Sequence, residues 1–184
     1  MKNILVKDVM IPIGNYTTVK KEYNLADVLR AMEKKSISEN RQAHRDAIVV
    51  DKNNRFVGKV TMLDIFRALE PNYRKFKQRP KGQTLTDDWV REAVQELKLW
   101  LEPTEDICQR GSRVTVDEAM HIPEKSEFIK EDDHLEKALN YYVMGVHQPL
   151  IVKKGDDVTG VLRFGDIFEI VRERLLSCYP TEEK

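Results

Sequence analysis

Apolar residues recur at helical spacing at Leu25, Val28, Leu29 and Met32, and again at Leu135, Ala138, Leu139 and Tyr142. Positions i, i+3, i+4 and i+7 share one helix face, so each set predicts an amphipathic helix. The first begins near Asn24 and the second near Asp133. Two short apolar runs follow each helix, over 47–50 and 56–60 and over 150–152 and 158–162. Asn53-Asn54 and Lys154-Gly155-Asp156 separate the members of each pair, which predicts two hairpins. A short strand is expected before each helix, over 17–20 and 127–130. A closing helix is expected after each hairpin, over 62–69 and 164–176. A short helix should end near Met10 and another near Met120.

The two patterns are one pattern written twice. Met10 and Met120 lie 110 positions apart, as do Leu25 and Leu135. Gly58 and Gly160 lie 102 apart, and so do Asp64 and Asp166. The difference places an insertion of about eight residues in the polar stretch 36–46 of the first copy. A half of about 60 residues buries too little surface to be stable alone, so two copies that share a core have a physical rationale.

The residues that carry the repeat also carry a resemblance. They are Asp8-Val9-Met10, Val49-Val50-Asp51 and Gly58-x-x-Thr61-x-x-Asp64 in the first copy. The second has Glu118-Ala119-Met120, Ile151-Val152 and Gly160-x-x-Arg163-x-x-Asp166. In this order, and twice, they resemble CBS domains, named for cystathionine beta-synthase. The resemblance covers everything outside the middle of the chain. It implies an α+β fold of two β-α-β-β-α repeats packed as a pseudo-two-fold pair, with an amphipathic helix inserted between them. The boundaries are 1–70 for repeat one, 71–113 for a linker with the helix, 114–179 for repeat two and 180–184 for a tail.

The resemblance further implies a regulatory module that binds AMP, ADP, ATP, S-adenosylmethionine or a similar adenosine-containing ligand in clefts between the repeats. Asp64 and Asp166 would hold ribose hydroxyls, and Thr61 a phosphate. Tyr16, Ala47 and Ile48 would line one adenine pocket; His121, Phe128, Pro149 and Leu150 would line the other. Arg45 and His147 align just before the second strand of each repeat and, with His44, are further phosphate candidates. No cofactor is required, and CBS pairs usually assemble as dimers, so a homodimer is expected.

The residue chemistry leaves alternatives beside these roles. A carboxylate can accept both vicinal hydroxyls of a ribose, and a helix N-terminus offers free N–H groups to an anion. Thr61-x-x-Asp64 is equally a capping box, in which both side chains serve the helix. Arg163 stands where the first repeat has Thr61. It can pair with a phosphate, or bind Asp166 and leave its cleft empty. Gly165 is a poor helix former that capping does not explain.

The middle segment has no counterpart in the repeats. Arg74, Lys75, Lys77, Arg79 and Lys81, with Tyr73 and Phe76 interleaved, could grip single-stranded nucleic acid. The chain is otherwise neutral, with 31 Lys and Arg against 31 Asp and Glu, so a solvated linker is favoured over a nucleic-acid partner. Thr86-Asp87-Asp88 caps a helix over 86–102, ended by Pro103. Its stripe of Val90, Ala93, Val94, Leu97 and Leu101, flanked by Trp89 and Trp100, must be covered by the module itself, a second copy or an effector protein.

Composition excludes other classes. No run approaches the roughly 20 apolar residues of a membrane span. Cys108, in a polar loop, and Cys178 form no disulfide framework or zinc site, which fits a cytoplasmic protein with reduced thiols. Glu131-Asp132-Asp133-His134 reads as a helix start with acids at the positive end of the dipole, and no metal site is expected. No phosphate loop, nucleophile elbow or metal-ligand helix appears, so the chain is not read as an enzyme and no catalytic residue is assigned. The competing reading is a ligand-free scaffold built on the same pair.

Overall fold

In the computed structural model, residues 4–39, 45–75, 86–100 and 104–178 are described. The basic stretch at 76–81, His44, Leu101, Pro103 and the tail from 180 lie outside them, as do the side chains at 36–39 of the polar insertion. Among the described residues are two small sheets and seven α-helices, an α+β fold.

The chain divides into two compact units, and their boundaries cut across the repeats. One unit is the contiguous stretch from Thr18 to His121. The other joins residues up to Thr17 with those from Ile122 onward.

In the contiguous unit, strands β2 (Thr18–Lys20), β3 (Asp46–Val50) and β4 (Phe56–Thr61) form one sheet in the order β2-β3-β4. β2 and β3 run parallel, and helix α1 (Leu25–Glu39) crosses between them. β3 and β4 form the antiparallel hairpin expected from Asn53-Asn54, with Asn54 at φ 59°. α1 buries Leu25, Val28 and Met32 against Val19, Ala47, Val49 and Val60. Leu29, at the rim of the same stripe, is 52% exposed. Helix α2 (Met62–Leu69) turns Ile65 and Ala68 into this core. Each fully buried aliphatic side chain contributes about 1.5–3 kcal/mol of transfer free energy.

The middle segment belongs to this unit. Helix α3 (Asp87–Leu97) starts at Thr86, whose hydroxyl accepts from Trp89 N–H. It ends at Leu97, short of the expected 102, because Lys98 takes a left-handed conformation. Leu99 N–H then bonds back to the Val94 carbonyl and closes the helix. Among the described residues the stripe is only partly covered: Ala93 and Leu97 are half-buried, whereas Val90 and Val94 are 39% and 42% exposed. A second helix, α4 (Thr104–Arg113), lies against α1 and α2. Cys108 therefore sits on a helix, exposed, rather than in a loop. The Arg110 guanidinium donates to the Leu69 carbonyl at the end of α2. Beside it, buried Glu70 accepts the N–H groups of Asn72 and Trp100.

The unit is completed by a segment from the second repeat. Helix α5 (Val116–Ala119) follows Thr115, and Val116 N–H bonds to the Tyr23 carbonyl. Buried Val116 enters the core beside α1. His121 exchanges both backbone hydrogen bonds with Lys59 of β4.

The other unit repeats the plan with the roles exchanged. Here β1 (Ile11–Pro12), β5 (Phe128–Lys130), β6 (Leu150–Lys154) and β7 (Asp157–Leu162) form a sheet in the order β1-β7-β6-β5. The lead-in of the first repeat is a single helical turn at 6–8. Val6 N–H bonds to the Asp133 carbonyl, and Lys7 pairs with Asp132. β1 pairs with β7 through Ile11 and Val161. Helices α6 (Leu135–Val143) and α7 (Phe164–Cys178) cover one face with Leu135, Ala138, Tyr142 and Ile167. No helix among the described residues is long and apolar enough to cross a membrane.

Candidate functional site

The turn from β4 into α2 is built by Thr61 and Asp64. Thr61 is extended, which lets its side chain point back over the first turn of the helix. Its N–H donates to Asp64 Oδ2 at 2.9 Å, and its hydroxyl meets the same oxygen at 2.6 Å. Asp64 N–H points to the Thr61 hydroxyl at 3.4 Å, which completes the capping box. Asp64 is 5% exposed. Its other oxygen, Oδ1, lies 3.6 Å from the Arg67 guanidinium. One carboxylate oxygen is thus held tightly by the cap and the other loosely.

Ahead of this turn, Gly58 faces the second repeat's lead-in. A Cβ there would lie 2.9 Å from the His121 carbonyl oxygen and 3.1 Å from Met120 Sδ. Only a residue without a side chain allows that approach. Ala47 and Ile48 sit opposite Val60 and Lys59 on the neighbouring strand. Both are fully buried, on opposite faces of β3: Ala47 joins the helix-side core, and Ile48 does not. Arg45 stands exposed at the entrance to β3. His121 is half-buried on the far side of Lys59.

The corresponding turn of the other unit runs from β7 into α7. A Cβ on Gly160 would lie 2.7 Å from the Ile11 carbonyl oxygen and 2.8 Å from Met10 Sδ, so the glycine serves the same close approach. Arg163 Nε and Nη2 meet Asp166 Oδ2 and Oδ1 at 2.9 and 2.6 Å. Arg163 thus pairs with Asp166. Both oxygens of Asp166 are occupied, and the two side chains are 24% and 21% exposed. No packing contact accounts for Gly165, since nothing lies within 4 Å of where its Cβ would be.

Phe128, half-buried, pairs with Ile151 in register and has the Lys153 ammonium 5.3 Å from its ring centre. Pro149 and Leu150 are buried, and Leu150 belongs to the helix-side core. Tyr16 is also buried. His147 Nδ1 lies 3.7 Å from the carboxylate of Glu127, which is 2% exposed. Tyr16 falls in the discontinuous unit, whereas Ala47 and Ile48 belong to the contiguous one. His121 is likewise separated by unit from Phe128, Pro149 and Leu150.

Several residues in these surroundings carry no sequence signal of their role. Lys59 is fully buried where the second repeat has Val161; only a comparison of the repeats singles it out. Glu127 precedes its strand and reads as an ordinary surface acid. Tyr142 reads as a core residue, yet its hydroxyl donates to the Leu162 carbonyl and accepts the Leu150 N–H. It thereby fixes the strand end that leads to Arg163.

Residues 6–71 match the family model of the CBS domain. No curated protein matches the chain. Among solved structures, a CBS domain-containing protein of unknown function from Bacillus anthracis is similar, with a TM-score of 0.61 at 18% identity over 94% of this chain and 95% of that one. CBSX2, a CBS-pair protein from Arabidopsis thaliana, was solved in complex with AMP. That complex has a TM-score of 0.59 at 19% identity, covering 93% of this chain and 98% of that one. A putative acetoin utilization protein from Vibrio cholerae gives 0.58 at 17% identity and covers 98% of both chains. The first repeat is thus matched as a CBS domain, and the chain has the fold of CBS-pair proteins along nearly its whole length.

Proposed function

We propose that the chain is a regulatory module, not an enzyme, and that it binds an adenosine-containing ligand such as AMP, ADP or ATP through the turns that begin α2 and α7. The observation that carries this reading is Asp64. It is a nearly buried carboxylate at a helix start, with one oxygen fixed by Thr61 and the other held only at 3.6 Å by an exposed arginine. Such an oxygen can accept a ribose hydroxyl in a strong charge-assisted bond. The AMP held by CBSX2, a protein of the same fold, supports this choice of ligand class. S-adenosylmethionine shares the nucleoside and belongs in the same screen. Ala47, Ile48 and Arg45 lie near the first turn, and Phe128, Pro149, Leu150 and His147 near the second; Tyr16 and His121 complete the set of ligand candidates.

Binding acts by differential affinity for two arrangements of the protein, which a partner or a second copy then reads. Self-association is favoured by apolar side chains left exposed within each unit: Met62, Leu63 and Phe66 on α2, and Phe164 and Phe168 on α7. The ligand-free scaffold remains the second reading, favoured by exposed Val90 and Val94 on α3.

A thermal-shift screen with AMP, ADP, ATP, S-adenosylmethionine and NADH separates the two readings. Ligand at 100 times its Kd stabilises the folded chain by about 2.7 kcal/mol, which raises Tm by several degrees. The expected result is such a shift, lost or reduced in Asp64→Ala or Asp166→Ala, with a sedimentation mass of two chains. A flat response at millimolar ligand overturns the adenosine reading and leaves the scaffold.

A further inference from the structure

Helix α3 is lightly anchored. None of its residues is buried, and an element with few buried contacts opens locally at low cost. A clasp lies just beyond its end. The Trp100 N–H donates to Glu70 Oε2 at 2.8 Å, and the indole N–H of the same residue donates to the Tyr73 hydroxyl at 3.0 Å. The indole also meets the rings of Phe66 and Tyr73 edge-on.

This clasp works against the backbone. Lys98 and Trp100 both have left-handed φ, 51° and 57°, where a side chain crowds the following carbonyl. A bulky residue such as tryptophan is rare in that region. Such conformations persist where neighbouring contacts over-determine them, and they concentrate at clamps and switches. Glu70 supplies that contact. It is 3% exposed, and its carboxylate takes the Trp100 N–H on one oxygen and the Asn72 N–H on the other. Strain in the turn at 98–100 thus favours release of α3, and the clasp favours docking.

Glu70 is also the C-cap of α2, with its N–H on the Phe66 carbonyl. Asp64 stands in the first turn of the same helix, less than two turns away, or about 9 Å along the axis. Phe66, against which the indole packs, lies between them in sequence. A short helix forms cooperatively, so what orders its first turn also orders its last.

We propose that α3 is a detachable arm with Glu70 as its catch, and that ligand at the Asp64 turn holds the arm docked through α2. The coupling rests on the adenosine reading above and adds the element that responds. By reciprocity, the docked arm favours ligand by the same factor.

The test follows amide hydrogen exchange and calorimetric AMP binding in the full chain. Glu70→Gln keeps the shape of the catch but removes its charge and one of its two acceptors. Exchange over 87–97 should then rise about tenfold, with β3 and β4 unchanged. Lys98→Gly relieves the strain without touching the catch and should slow exchange over 87–97. AMP should slow it in the wild type by about fivefold or more. The Kd for AMP should rise in Glu70→Gln and fall in Lys98→Gly. A purely structural role would not give opposite shifts from two residues outside the ligand turn. Circular dichroism checks that each variant is folded. Exchange that rises equally in α3 and the sheet after Glu70→Gln, or does not rise, overturns the catch. AMP that binds without slowing exchange over 87–97 overturns the coupling and leaves the adenosine reading standing. A wild-type chain that binds none of AMP, ADP and ATP overturns that reading and the coupling with it.

Discussion

Asp64 and Asp51 are both carboxylates that turn back to bind nearby backbone N–H groups, one buried at a helix start and one exposed in a hairpin. Asp51 accepts the N–H groups of Asn53 and Arg55 at 2.8 and 2.9 Å. The Arg55 amide, seconded by that of Asn53, holds its carboxyl below the usual carboxylate value. A depressed folded-state value means that the stabilisation is present above the unfolded value, near 3.9, and is lost as pH falls through the folded one. Asp51→Ala should therefore lower the urea midpoint at pH 7, with a difference from wild type that narrows as the pH falls below about 4. A difference independent of pH would show that the hairpin does not depend on the charge. The glycines make a steric prediction at the same scale. Gly160→Ala places a methyl group 2.7 Å from a backbone oxygen and should cost about 1–3 kcal/mol in denaturant unfolding, as overpacking does. Gly58→Ala should do the same. The repeat marked both glycines in the sequence. It could not mark what they face, because their neighbours Met10 and Met120 come from the other repeat.

Elements were legible where periodicity was strong and ambiguous where an end depends on one backbone angle. The helices around Leu25 and Leu135 and both hairpins follow from spacing alone. The end of α3 does not. Lys98 is left-handed, and lysine in a run of good helix formers gives no stop signal. Nor does spacing reveal whether a stripe is covered. Val90 and Val94 have the same pattern as buried residues elsewhere, yet remain exposed. Tyr142 shows the converse, a polar atom doing structural work inside an apolar face. Tyr142→Phe keeps the ring but leaves the Leu150 N–H and Leu162 carbonyl without their shared partner. A loss of about 1–3 kcal/mol is expected, with faster amide exchange at Leu150. Unchanged exchange there would mean that another group takes over the bond.

At the scale of the molecule, the two repeats were legible and the two units were not. The repeats run in sequence order, but each unit borrows its lead-in from the other repeat. Val6 enters one core and Val116 the other. Sequence similarity compares like with like and cannot see an exchange between equivalents. Removal of residues 1–12 should therefore damage the unit built from the distant half of the chain. Hydrogen exchange should rise in β7 and α6 and change little in β3 and β4. Equal loss in both sheets would show that the units unfold as one.

The exchange also bears on how the protein is made. Ile11 must find Val161, 150 residues later in the chain, whereas everything from Thr18 to His121 is contiguous. At roughly 5–20 residues per second, a ribosome takes on the order of ten seconds to produce the partner of that first strand. During synthesis the contiguous unit can assemble as it emerges, while the apolar lead-in that left the tunnel before it waits uncovered. A strand translated 150 residues before its partner is thus buried late, and for that interval a nascent-chain chaperone would find a binding site on it.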